Sequence, residues 1–150
     1  MKNKKKFLKN IFIPVILGGL VGLIIFKFLD YQYLNKPPLS PPGFAFGIVW
    51  TVIYLLMGVS YGILDIKDFN DIKIVYYLQL VINLMWPIIF FIFKWRLFAL
   101  IWLILLVVLV IYMIILFYKK DKNSAYIQIP YLLWCIFATY LNLGIYVLNK

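Results

Sequence analysis

Five apolar runs of about 22 residues each divide the chain, at 7–29, 43–64, 72–93, 97–118 and 125–148. Each matches the ~20 residues that cross a bilayer as a helix. Their apolar residues recur all round rather than on one stripe, which favours spanning helices over amphipathic surface helices. Stretches such as 101–106 and 111–117 do not alternate, so the strands of a membrane β-barrel are not expected. The connections are short. Asp30–Pro42 carries Pro37, Pro38, Pro41 and Pro42 and reads as a stiff, extended link. Asp65–Asp71 is acidic and polar, Lys94–Arg96 is a tight turn and Lys119–Ser124 is basic. The pattern predicts an all-α membrane protein, a five-transmembrane-helix bundle forming one domain over residues 1–150.

Composition makes lipid the solvent. The chain is 66% hydrophobic and only 13% charged, whereas soluble domains sit nearer half apolar and a quarter charged. The first run follows a Lys-rich start, yet it exceeds the 7–15 apolar residues of a signal peptide and no A-x-A site follows. It reads as an uncleaved first span. The sequence contains no His and no Glu, and Cys135 is the single cysteine. These absences speak against Cys/His zinc sites, imidazole acid–base chemistry and any disulfide within the chain. No catalytic residue and no metal ligand is expected.

The formal net charge is +10, which on a soluble protein would suggest nucleic acid. Here the cations lie between apolar runs, so they read as topology signals and contacts to anionic lipid, with no nucleic-acid partner. Ten of them (Lys2, Lys4, Lys5, Lys6, Lys9, Lys67, Lys73, Lys119, Lys120 and Lys122) fall on the N-terminal side of a five-span chain. Five (Lys27, Lys36, Lys94, Arg96 and Lys150) fall on the other. The asymmetry predicts a plasma-membrane protein with a cytoplasmic N-terminus. All five Asp residues lie in connections, and no span carries a charge near its middle. That argues against a proton-coupled transporter.

The spans hold aromatic and weakly polar groups instead. Trp50, Thr51 and Tyr54 lie on the second, Gln79, Asn83 and Trp86 on the third, and Trp134, Thr139, Tyr140 and Asn142 on the fifth. Trp50 and Trp86 sit about 10 Å inside the outer end of their spans at 1.5 Å per residue. Asn83 shares a helix face with Trp86, and Trp134 falls near mid-membrane. Two readings stay open. One is a layer of indoles and one amide that stacks on and orients a flat, largely apolar ligand. The other is polar glue between helices. Trp95 and Trp102 read as interfacial belt residues. Pro87 predicts a kink just beyond Trp86, widening a cavity there. The pairs Gly18/Gly22, Gly43/Gly47 and Gly58/Gly62 point to a packed bundle and to a homodimer. Leu143, Tyr146 and Lys150 match the spacing proposed for sterol contact, a pattern many helix ends satisfy.

Three stretches together resemble the TspO/MBR family, the tryptophan-rich sensory or translocator proteins related to the peripheral benzodiazepine receptor. Residues 36–43 with 47–58 (KPPLSPPG, then GIVWTVIYLLMG) resemble the family's first loop and second helix. Residues 83–91 (NLMWPIIFF) resemble its third helix, and 130–134 with 137–142 (PYLLW, then FATYLN) its fifth. The resemblance implies a five-helix bundle, often dimeric, whose cavity opens toward the first loop. It also implies binding of porphyrins, of synthetic aromatic ligands and, in some members, of sterols. By motif position, Trp50, Asn83, Trp86 and Trp134 match family pocket residues. Tyr31 matches a first-loop aromatic that helps cover the pocket, and Ala138 a fifth-helix position that influences affinity. The sequence departs from the family at Leu39, where many members have Trp, and at Trp102, near where many have an acidic residue.

The resulting expectation is a membrane protein that binds tetrapyrroles such as protoporphyrin IX as ligand, requires no cofactor, and acts in their sensing, transport or regulation under stress. Lys36, Lys94 and Arg96, on the same side as the indoles, are candidates to pair with the propionates. Two alternatives are light-dependent porphyrin degradation and passive transport of a hydrophobic metabolite or sterol-like lipid.

Overall fold

The computed structural model describes residues 2–150. The described residues form helices and turns without strands. The first helix, α1 (Lys2–Ile25), begins before the expected residue 7, because the Lys-rich start itself favours helix. It ends before the expected residue 29, and the chain passes through short 3-10 turns at Phe26–Phe28 and Tyr31–Tyr33 into the proline-rich loop. Helix α2 (Gly43–Asp65) starts directly after Pro42, which lacks the N–H a helix interior would use. Helix α3 (Lys73–Pro87) continues as a π turn over Ile88–Ile92. This is the form taken by the irregularity expected at Pro87. The proline cannot donate to the carbonyl of Asn83, and the chain rewinds beyond it. Helix α4 (Arg96–Lys120) follows. The last span is interrupted rather than continuous: α5 (Lys122–Ile127) and α6 (Ile129–Leu148) meet at Gln128. Pro130 explains the break, since it cannot bond to the carbonyl of Tyr126 and sits well in a first helical turn.

Five of these segments are long and apolar enough to cross a membrane. The protein is therefore a multi-pass, all-helical integral membrane protein. Lipid supplies no hydrophobic force between its helices, so close packing and buried polar contacts hold them together. Gly58 supplies the closest approach. A methyl group there would lie 2.5 Å from the carbonyl oxygen of Asn10 and 2.6 Å from Ile11 Cα on α1. That carbonyl is the one Pro14 leaves without its helical N–H. Gly62 faces Phe7, and Gly18 faces Tyr54. Asn10 donates to Asp65 Oδ2 at 2.7 Å, and Lys6 reaches Asp65 and Asp68, closing the same two helices at their charged end. At that end Lys67 also pairs with Asp121, and Lys120 with Asp71. These contacts hold both carboxyls, Asp121 and Asp71, below the usual range.

Helix α4 presents Leu103, Leu106, Val110, Met113 and Phe117 to the core, a 3–4 spaced seam. Against it lies a tyrosine stack, with the rings of Tyr61 and Tyr76 parallel and 4.0 Å apart.

Candidate functional site

Three residues spaced by four along α2 build one wall of the site. Phe46, Trp50 and Tyr54 lie along one helix face, as i, i+4 neighbours do. Trp134 on α6 meets two of them. Its ring lies edge-on to Trp50 at 6.3 Å and tilted to Phe46 at 5.8 Å. Tyr54 stacks on Trp50 at 5.6 Å, Phe137 extends the set from Trp134, and Tyr31 closes it at the loop, edge-on to Phe46 at 5.0 Å. The geometry thus runs Tyr31–Phe46–Trp134–Trp50–Tyr54, from the loop toward the middle of the bundle. Edge-on and offset pairs at these distances are the favoured aromatic arrangements.

Beside this line, a groove of about 450 Å³ runs between α2 and α6. Val49, Ile53 and Leu56 line one side, Pro130, Leu133 and Trp134 the other, and it opens onto the face of the bundle. Its volume lies within the range of small-molecule sites. The indole N–H of Trp134 is shielded and has no hydrogen-bond partner among the described residues. A buried donor left unpaired carries a free-energy cost of about 1–3 kcal/mol.

The indole layer read from the sequence divides in two. Trp86 does not join the Trp50–Trp134 pair as expected. Its N–H donates to Asn142 Oδ1 at 3.0 Å, and its ring packs on Phe90 and Phe91. The π turn after Pro87 brings those two phenylalanines beside it. Asn83 is held by helix partners. It accepts from the Tyr54 hydroxyl at 2.6 Å and donates to Tyr131 Oη at 2.8 Å, and Tyr131 donates onward to Gln79 Oε1. This network ties α2, α3 and α6 together behind the aromatic line. Ala138 is buried in the main core. Trp102 donates to the carbonyl of Ile82 at 2.8 Å and so clamps α4 to α3, beyond its expected place in the belt.

The cations expected near the site have partners within the chain. Lys36 donates to the carbonyls of Tyr31 and Leu34 at 2.9 and 3.0 Å, and its ammonium lies over the Tyr31 ring. Lys94 and Arg96 both hold Asp30, at 3.1 Å and at 2.7 Å. Burial works against ionisation of Asp30, but hydrogen bonds from Arg96 and Lys94 outweigh it and hold the carboxyl below its ordinary value. The proline-rich loop is pinned over this end. Tyr31 donates to the carbonyl of Pro41, Tyr140 to that of Pro38, and Pro37 packs on Gly144. Leu39, at the loop position where the resembled family often has Trp, is 85% exposed. Its backbone is left-handed, with φ 70°.

Sequence reasoning missed Phe46 and Asp30. The i, i+4 spacing 46–50–54 was available for the first. For the second, the signal was that Asp30 stands alone among five cations on its side of the membrane. Among the described residues no three His, Cys, Asp or Glu side chains converge as a metal site.

Comparison with known proteins places these features in context. A family model described as the TspO/MBR family matches residues 10–148. The tryptophan-rich protein TspO of Archaeoglobus fulgidus is 38% identical over 122 residues, covering 79% of each chain. A protein of the same name from Chlorobaculum tepidum is 32% identical over 124 residues, covering 79% of this chain and 78% of its own. The human translocator protein is 31% identical over 118 residues, covering 75% of this chain and 70% of its own.

Proposed function

The chain belongs to the TspO/MBR family, and from that premise we propose that it binds a tetrapyrrole such as protoporphyrin IX between α2 and α6 and acts in tetrapyrrole sensing, transport or regulation. The observation that carries this reading is the Trp50–Trp134 pair, edge to face at 6.3 Å beside an apolar groove. A flat macrocycle offers the stacking area that such rings favour. Lys94 and Arg96 are the proposed partners of its carboxylates. Lys36 serves the loop instead. The groove opens onto the membrane face, so the ligand enters from the bilayer. The protein resides in the plasma membrane with its N-terminus in the cytoplasm, following the ten-to-five cation asymmetry. A second copy of the chain is its partner, and Gly22, which meets no neighbour within 4 Å among the described residues, leaves a bare helix face for it.

Titration of purified protein with protoporphyrin IX tests the site. Saturable changes in the Soret band and in Trp fluorescence are expected, with affinity falling at least tenfold in the Trp50→Ala, Trp134→Ala double variant, the scale of about 1.4 kcal/mol. An affinity unchanged by the double substitution would remove the site from this groove.

A further inference from the structure

Asp30 is the only carboxylate side chain on the side of the membrane that carries Lys27, Lys36, Lys94, Arg96 and Lys150; the other four Asp residues lie on the opposite side. It meets two cations at once. Arg96 Nη2 contacts both of its oxygens, at 2.9 and 2.7 Å, and Lys94 Nζ reaches Oδ2 at 3.1 Å. The two sides of this contact are held differently. Arg96 opens α4; its guanidinium rests on the Phe90 ring and its carbonyl takes the Asn142 amide at 2.9 Å. Asp30 lies between two 3-10 turns, in a connecting segment. Arg96 therefore belongs to the scaffold, while Asp30 and Lys94, the latter in the turn before α4, lie in connecting segments. The cationic side is also incompletely satisfied: one carboxylate faces two positive charges, and Arg96 Nε is buried without a partner among the described residues. The residue after Asp30 is Tyr31, which opens the aromatic line leading to Trp134.

We infer that Lys94 and Arg96 form a carboxylate subsite and that Asp30 occupies it in place of a ligand's carboxylate until an acidic ligand displaces it. This rests on the reading of the aromatic line as a tetrapyrrole site and adds the determinant of its selectivity. A ligand bearing carboxylates exchanges one carboxylate for another at the cation pair and frees the loop segment that carries Tyr31. A ligand of the same shape with esterified carboxyls makes no such exchange. Asp30 is thus a specificity-determining residue, acting by competition.

The test compares protoporphyrin IX with its dimethyl ester, each titrated against the full-length wild type, Asp30→Asn and Asp30→Glu. Asp30→Asn is expected to tighten the acid by about tenfold, the scale of one hydrogen bond to a charged group, and to leave the ester unchanged. Asp30→Glu, which keeps the competing charge, is expected to return the acid to near wild-type affinity. The gain in Asp30→Asn shrinks as salt is raised. If acid and ester shift alike in Asp30→Asn, or if the acid weakens, the competition is overturned while the pocket stands. If wild type binds neither compound, the pocket reading fails and this inference falls with it.

Discussion

The Asn83 amide accepts from one hydroxyl and donates to another, whereas the Gln128 amide, fully buried at the break between α5 and α6, has no partner at either atom among the described residues. The two look equivalent as letters, a carboxamide in an apolar run. Their energetics differ in sign. Replacing Asn83 with Leu strands the hydroxyl of Tyr54 in a medium without water to take it and leaves Tyr131 with its bond to Gln79 alone. A loss of about 1–2 kcal/mol is expected, read as a lower thermal midpoint in a fixed detergent and lipid mixture. Gln128→Met removes a buried polar group that no protein atom satisfies and keeps most of its volume, so stability is expected to hold or rise. Equal destabilisation by both would refute this asymmetry. Asp30 supplies a pH-dependent case. Its carboxyl is held below the usual 3.8, so the clasp on Lys94 and Arg96 contributes in full above the unfolded-state value. It is lost only as pH falls through the lower, folded-state value. The stability gap between wild type and Asp30→Asn, about 1 kcal/mol for a part-buried pair with a half-exposed second partner, is expected to stay constant from pH 7 to 5 and to close below about pH 4. A gap that closes near neutrality would mean another group carries it.

At the level of elements, the five spans were legible because bilayer thickness sets their length, but their packing faces were not. Helix α4 is apolar on every side, so nothing in its sequence marks Leu103, Leu106, Val110, Met113 and Phe117 as the buried seam. Only neighbouring helices decide that. The break at Gln128 had a visible cause in Pro130, yet an apolar run on both sides hid it. The glycine pairs carried partial information. They foretold close helix contact without saying which glycine makes it. Of those on α2, Gly58 meets backbone atoms of α1, Gly62 meets the movable ring of Phe7, and Gly47 meets nothing within 4 Å. The same substitution should therefore rank by neighbour. Gly58→Ala is expected to cost about 1–3 kcal/mol by forcing α1 away from α2. Gly62→Ala should cost less because a ring can rotate, and Gly47→Ala should be neutral or mildly stabilising through helix propensity. Thermal unfolding of the three variants gives the order directly, and a Gly47→Ala loss as large as that of Gly58→Ala would show that Gly47 is covered by something outside the chain.

Across the whole molecule, charge is sorted more strictly than count alone reveals. Four of the five carboxylates lie on the N-terminal side, where Asp65 and Asp68 meet Lys6, Asp121 meets Lys67, and Asp71 meets Lys120. The fifth lies opposite, with Lys94 and Arg96. Orientation depends on Lys and Arg, with Asp contributing little, so these ion pairs leave the ten-to-five cation asymmetry in force. Half of the ten come from the single stretch Lys2–Lys9, which gives a clear handle on the rule. The expected topology puts the Leu39 loop outside and the Asn70 turn inside. Both positions are exposed, and the one native cysteine, Cys135, is fully buried within its span, so the background is silent. A membrane-impermeant maleimide applied to intact cells should label Leu39→Cys and spare Asn70→Cys, with the latter reacting only after permeabilisation. Replacing the five lysines of the N-terminal stretch with Gln brings the two sides to five cations each and is expected to yield a mixed population, both sites reacting in part. Labelling of Asn70→Cys alone in intact cells would invert the molecule, and the groove between α2 and α6 would then lie in the inner half of the membrane.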